Sequence, residues 1–259
     1  MRELQSIGAC HSQSNKKRFS MCSAQASIGS KFRSFWSAID RSGFQPVIAL
    51  LFVSSVFLFA QVLTEVRAGD IGASDRAILL AFRLVDDSSV PIGPPWLIQS
   101  AKDISALGGT TVISLLTAAA VGFLALHRQW RNVITLVSAV GGAAIVSNVM
   151  KVSLLRERPA LALHLTDVWS FSFPSGHAMV AAATYLTFGM MLAHTQETKR
   201  ARIYVVSLAV AMTVLIGVTR IYLGVHWPSD VVGGWFAGAA WALLFWIFMG
   251  TTPRSRAAH

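Results

Sequence analysis

The sequence predicts an all-α fold, a bundle of six membrane-spanning helices, and three observations carry that reading. Of its 259 residues, 54% are hydrophobic and only 13% charged, whereas soluble domains carry about 25% charged residues. The mean hydropathy is positive, +0.55. Apolar stretches occupy residues 46 to 63, 107 to 126, 132 to 150, 178 to 193, 203 to 219 and 231 to 249. At roughly 1.5 Å rise per residue, eighteen residues cover roughly 27 Å, close to the roughly 30 Å hydrocarbon layer of a bilayer.

Ahead of the first span, residues 1 to 45 are rich in Ser, Gln, Lys and Arg and show no hydrophobic period, the composition of a disordered cytoplasmic tail. Met21 is an alternative start within it. The two cysteines, Cys10 and Cys22, both fall in this tail, so neither a disulfide framework nor a thiolate metal site is expected in the bundle. The run beginning near Pro46 is long enough to stay in the bilayer as a first helix rather than act as a cleaved signal. The membrane domain is expected to cover residues 46 to 250, with residues 251 to 259 as a second cytoplasmic tail.

Between the first two spans the pattern changes. Asp75, Arg76 and Arg83 alternate with apolar residues, and Trp96 sits among Pro94, Pro95, Leu97 and Ile98. Two readings stay open: a segment lying flat in the interface with the ring at headgroup depth, or an extracytoplasmic helix packed over the bundle. No internal repeat of fixed period is present.

Orientation follows from the basic residues under the positive-inside rule. Of the 22 Lys and Arg, 14 fall in the N-terminal tail, the loops after the second and fourth spans, and the C-terminus. The other eight are Arg67, Arg76, Arg83, Lys102, Lys151, Arg156, Arg158 and Arg220. Both termini are therefore expected in the cytoplasm. The formal charge of +10 is dispersed over loops and termini rather than massed on one face, which argues for topology as its cause and against a nucleic-acid partner. The partner expected from these observations is the lipid bilayer; the sequence specifies no oligomeric state.

On the extracytoplasmic side three motifs concentrate chemistry. Lys151 to Pro159 reads K-x6-R-P, Pro174-Ser175-Gly176-His177 reads P-S-G-H, and Thr219-Arg220 with His226 and Asp230 reads T-R-x5-H-x3-D. Phosphoryl transfer requires cations and N–H donors around the equatorial oxygens, a nucleophile in line and an acid for the leaving oxygen. Lys151, Arg158 and Arg220 suit the first task, arginine as a planar fork and lysine as a point charge. Any one of them alone is adequately explained as a cation snorkelling to headgroups. Ser175 and Gly176 fall at a helix start, where free N–H groups and the positive dipole end receive anions, and Ser175 is equally an ordinary N-cap. His226 has Asp230 four residues on, a carboxylate able to fix its tautomer and leave the other nitrogen free to attack phosphorus. His177 is then the candidate acid for the leaving oxygen.

The remaining histidines, His11, His127, His164, His194 and His259, lack such company and read as loop or structural residues. Glu157 reads as a solvated charge paired with a neighbouring arginine. No carboxylates or histidines have metal-ligand spacing, so the chemistry is expected to use neither a metal nor another cofactor.

These three motifs together resemble the signature of the type 2 phosphatidic acid phosphatase superfamily, which includes bacterial lipid phosphatases and vanadium haloperoxidases. The resemblance extends from about Asp75 to the sixth span and includes Ile104 to Gly109 and Tyr222 to Asp230. It implies a six-helix bundle, a phosphohistidine on His226 oriented by Asp230, His177 as general acid, and phosphate held by Lys151, Arg158, Ser175, Gly176 and Arg220. Thr219 stands where the family has serine, so a modest effect on phosphate contacts is expected. The implied function is a lipid phosphate or lipid pyrophosphate phosphatase at the outer face of the inner membrane. Undecaprenyl pyrophosphate, phosphatidic acid and phosphatidylglycerol phosphate are the candidate substrates. The alternatives are a phosphotransferase passing the group to a lipid acceptor such as lipid A, and a non-catalytic scaffold or transporter. Six spans in a short chain argue against a soluble haloperoxidase.

Overall fold

The protein is described by a computed structural model over residues 45–159 and 170–250. The expected tails, Cys10, Cys22, His11, His164 and His259 lie outside the described residues. The elements are α1 (Gln45–Ala68), α2 (Gly72–Leu80), α3 (Pro95–Ala106), α4 (Thr110–Leu126), α5 (Trp130–Leu154), α6 (Gly176–Thr195), α7 (Lys199–Tyr222) and α8 (Pro228–Gly250). Among the described residues there is no strand, only an isolated bridge between Arg83 and Pro91 in the turn joining α2 to α3. The chain is a multi-pass membrane protein. Helices α1, α5, α6, α7 and α8 each have the length and apolarity to cross a membrane.

The second span differs from its expected form. Helix α4 follows α3 across a break at residues 107–109, the two inclined by 44°, and only taken together do they have the length and apolarity of a span. Pro95 opens α3 at its first turn, where a missing N–H costs nothing. Of the two readings for the segment between spans, the packed one describes α3. Leu97, Ile98 and Ala101 bury against Tyr222, Leu223 and Val225 at the end of α7. Helix α2 packs likewise, Leu79 lying against Ala178, Ile221 and Val231.

Within lipid, apolar side chains gain little by leaving one apolar medium for another, so helices associate through close van der Waals packing of small residues. That is how α6 and α8 meet. A Cβ added at Gly234 would lie 2.9 Å from both Ala178 Cβ and Ser175 O, and one at Gly238 would lie 2.3 Å from Met179 O. Gly234 and Gly238 are spaced as G-x-x-x-G, and they let the first turns of α6 and α8 lie against each other. Exposed Leu, Val, Ile and Phe side chains cover the outside of α1, α4, α5 and α7, as a lipid-facing surface requires.

Candidate active site

Sequence-adjacent spans run antiparallel, which brings the C-terminal ends of α5 and α7 to the same end of the bundle as the N-terminal ends of α6 and α8. Each motif occupies one of these ends. Lys151 lies in the last turn of α5 and is buried; its Nζ donates to Ser170 Oγ at 3.1 Å. Leu155 then closes the helix in the left-handed region, φ 49°, a conformation that a branched residue adopts only where its surroundings impose it. Beyond it, Arg158 donates to Ser170 O at 2.7 Å and to Val225 O at 2.6 Å, and its Nη1 lies 3.2 Å from His226 Nε2.

Ser175 caps α6, its Oγ accepting from the Ala178 N–H at 3.5 Å. Its own N–H donates to Asp230 O at 2.9 Å. A Cβ at Gly176 would stand 3.5 Å from Lys151 Nζ, at ordinary contact distance, so the ammonium lies directly against the start of α6.

Helix α7 ends in a Schellman motif: the Gly224 N–H donates to Ile221 O at 2.9 Å and the Val225 N–H to Arg220 O at 3.2 Å. Gly224 supplies the required positive φ, 72°. The reversal carries the chain into His226, which is 1% exposed. Arg220, in the last turn of α7, is also buried; its Nη1 donates to Ser105 Oγ at 2.7 Å, and its Nε has no partner among the described residues.

Pro228 opens α8, and Asp230 in its first turn accepts the Trp227 N–H on Oδ2 at 2.9 Å, the carboxylate half of a capping box. The same oxygen accepts a very short bond from the Ser172 hydroxyl and stands 3.5 Å from His226 Nδ1. His177 completes the pocket. The Lys151, Arg158 and Arg220 charges and the His226 ring all lie within electrostatic range of it, and a Cβ at Gly109, beside the α3–α4 bend, would lie 3.8 Å from its Nε2.

Burial pushes the His226 imidazole down to about 3, with the Arg158 and Arg220 charges adding to the effect and Asp230 opposing it. The resting ring is therefore neutral near pH 7. A guanidinium can only donate, so the contact from Arg158 places the ring's lone pair at Nε2 and its proton at Nδ1, facing Asp230. That is the tautomer a nucleophilic Nε2 needs.

All eight residues singled out in the sequence thus stand at one end of the bundle. Two expectations about their neighbours change. Thr219 donates its hydroxyl to Ile216 O at 2.7 Å and is occupied within its own helix. Glu157 is exposed and is not the partner of Arg156, whose ion pairs go to Asp75 and Asp230; the Glu157 backbone carbonyl accepts from Trp227 Nε1 at 3.0 Å. His127 and His194 lie at the other ends of α4 and α6, against Phe123 and Trp246. The structure also adds Asp75, Ser105, Arg156, Ser170, Ser172 and Ser229, which sequence reasoning passed over. Ser170 and Ser172 carried one signal, polar residues at alternate positions just before the P-S-G-H segment. Among the described residues, no three His, Cys, Asp or Glu side chains gather as a metal-ligand group.

Residues 132–254, which carry the three motifs and nearly all of helices α5 to α8, match the PAP2 superfamily. Phosphatidylglycerophosphatase B of Bacillus subtilis is 32% identical over 199 residues, 76% of this chain and 92% of the relative. The chain belongs to the PAP2 superfamily. Lipid A 1-phosphatase of Rhizobium johnstonii is 27% identical over 235 residues, covering 82% of this chain and 88% of that protein. Among solved structures, a transmembrane PAP2-type phosphatidylglycerolphosphate phosphatase from Bacillus subtilis superposes with a TM-score of 0.68 at 28% identity. The match covers 81% of this chain and 98% of the other. Superfamily membership and the membrane bundle agree over nearly the whole described length.

Proposed function

We propose that this PAP2 protein hydrolyses the phosphomonoester or terminal phosphate of a membrane lipid through a phosphohistidine on His226, at the extracytoplasmic face. The coarser statement, a hydrolase acting on phosphate bonds of lipids, stands on family membership and on relatives named as lipid phosphatases. The observation that carries the finer reading is the line Asp230 Oδ2, His226 Nδ1, His226 Nε2, Arg158 Nη1, with separations of 3.5 Å and 3.2 Å at its two ends. It sets a neutral nucleophile beside an anion-binding fork.

In the first step the Nε2 lone pair attacks phosphorus, and the phosphorus–oxygen bond to the lipid breaks. Its electron pair leaves on the lipid oxygen, which takes a proton from His177. Lys151, Arg158, Arg220 and the N–H groups opening α6 hold the phosphoryl oxygens. The ring, now carrying phosphate on Nε2 and a proton on Nδ1, is positively charged, and Asp230 stabilises it. In the second step His177 removes a proton from water, the water oxygen attacks phosphorus, and the phosphorus–nitrogen bond breaks, releasing inorganic phosphate and neutral His226.

The phosphatidylglycerophosphatase B relative and the solved phosphatidylglycerolphosphate phosphatase, each matched over more than nine-tenths of its length, support phosphatidylglycerol phosphate as the first substrate to try. The test is a phosphate-release panel on purified protein with phosphatidylglycerol phosphate, phosphatidic acid and undecaprenyl pyrophosphate, run with and without lipid A as acceptor, and with His226→Ala as blank. Release that the variant abolishes supports the reading. Equal release from the variant, or transfer to lipid A in place of release, contradicts it.

A further inference from the structure

Arg156 lies inside the first motif, two residues before Arg158, yet its contacts go elsewhere. Its Nη1 donates to Asp230 Oδ1 at 2.5 Å and to Ser229 Oγ at 2.8 Å, while Nη2 donates to Asp75 Oδ2 at 2.7 Å. Asp75 comes from α2, the short helix between the first two spans. It also accepts the Ser229 N–H at 2.9 Å and the Ser229 hydroxyl at 2.5 Å. Asp75 is 1% exposed and Asp230 fully buried. Two buried carboxylates thus share one guanidinium at the opening of α8.

The division of labour on Asp230 follows from these bonds. Arg156 occupies Oδ1. Oδ2 is left for the Trp227 N–H, the Ser172 hydroxyl and His226 Nδ1. A carboxylate free to rotate would alternate its two oxygens toward the imidazole, and one held at Oδ1 by a guanidinium that a second carboxylate fixes in place does not. Asp75 fixes the fork in turn, because Arg156 hangs on a connecting segment and its Nη2 is held on the far side from Asp230.

We propose that Arg156, anchored by Asp75, is a positioning residue for the His226–Asp230 pair, so that helix α2 takes part in setting the nucleophile's tautomer and direction. This rests on the phosphohistidine reading above. A purely structural role is the competing account, in which Asp75 caps α8 and Arg156 merely neutralises it. The two differ in what they do to proton binding at His226. That ring is faced by Asp230 from α8, by Arg220 from α7, by His177 from α6 and by Arg158 from the segment after α5, with Arg156 acting on it through Asp230. Removing the Arg156 charge releases the full field of Asp230 onto the ring and favours the imidazolium, which cannot attack. Removing Asp75 leaves the Arg156 charge entirely to Asp230 and has the opposite sense.

The experiment uses full-length protein in detergent micelles with dioctanoyl phosphatidic acid as probe. It measures kcat and KM against pH for wild type, Arg156→Gln, Arg156→Lys and Asp75→Asn, with melting recorded in the same micelles. Arg156→Gln is expected to lower kcat about tenfold to a hundredfold, to leave KM within about twofold, and to raise the acid limb of the profile by about one pH unit or more. Arg156→Lys, which keeps the charge without the fork, returns the limb to the wild-type position but recovers only part of kcat. Asp75→Asn lowers kcat with no upward movement of the limb.

An acid limb unmoved in Arg156→Gln overturns the proposal, and so does a loss confined to KM, which would make Arg156 a substrate ligand. Should Arg156→Gln fail to fold, a wild-type kcat in either Arg156→Lys or Asp75→Asn overturns it equally. A wild-type protein that releases no phosphate from any lipid refutes the proposed function instead, so the two failures are distinguishable.

Discussion

Replacing Gly234 by alanine tests how the bundle builds the pocket. The new methyl would sit 2.9 Å from Ser175 O and 2.9 Å from Ala178 Cβ, where carbon contacts relax to about 3.5–4.0 Å. Helix α8 must therefore retreat from α6 by roughly 0.5–1 Å. The retreat occurs one turn from Asp230 and against the residue that caps α6, so it separates the orienting carboxylate from the phosphate-binding turn. Overpacking of this kind costs about 1–3 kcal/mol, offset by at most about 1 kcal/mol from alanine's better helix propensity. A displacement near 1 Å lowers turnover by about a hundredfold. The internal control is Gly141→Ala on α5, where an added methyl meets nothing within 4 Å and propensity alone raises stability by up to about 1 kcal/mol. Both variants are read by Tm in micelles and by kcat on the same preparation. Matching behaviour of the two, in Tm and in kcat, would refute the packing argument.

The buried His226 gives stability a pH dependence. Its imidazole is held at about 3 in the folded protein against about 6.5 unfolded, so unfolding takes up a proton between those values. Its contribution is fully present above about pH 6.5 and is lost as pH falls toward 3; Tm measured from pH 7 to 4 should fall, and the fall should shrink in His226→Gln. Orthovanadate, which reproduces the five-coordinate geometry of an attacked phosphate, should inhibit turnover, while a chelator should not. Chelator inhibition reversed by added magnesium would contradict the mechanism. Thr219→Val should keep KM and kcat within about twofold, since the hydroxyl it removes is bonded inside α7. A tenfold rise in KM would mean that this hydroxyl reaches the phosphate.

The spans were legible because lipid enforces a crude rule, a minimum length of apolar helix, and that rule is local in sequence. The convergence of the eight candidate residues was legible because each motif marks a helix end, and antiparallel neighbours carry alternate ends to one face. What was not legible is what joins the ends together. Asp75 is 154 positions from Ser229 and 81 from Arg156, and nothing about a carboxylate among apolar residues tells which cation it will meet. Glu157 was expected to pair with a neighbouring arginine because chain neighbours are the only partners that a sequence displays. The break at residues 107–109 escaped notice for a different reason, since hydropathy measures apolar length and is blind to a bend. At Gly108 an added Cβ would fall 2.5 Å from Ile216 Cγ2, so the glycine there serves α7 rather than its own helix.

The most direct test of the central claim is rapid-quench labelling. Purified protein is mixed with lipid carrying a radiolabelled terminal phosphate, quenched in alkali within the first turnover, and digested for peptide mapping. The account predicts an acid-labile, alkali-stable label on the peptide containing His226, formed at a rate no slower than turnover and absent from His226→Ala. Label on another residue, or steady turnover by an enzyme that never becomes labelled, would contradict it.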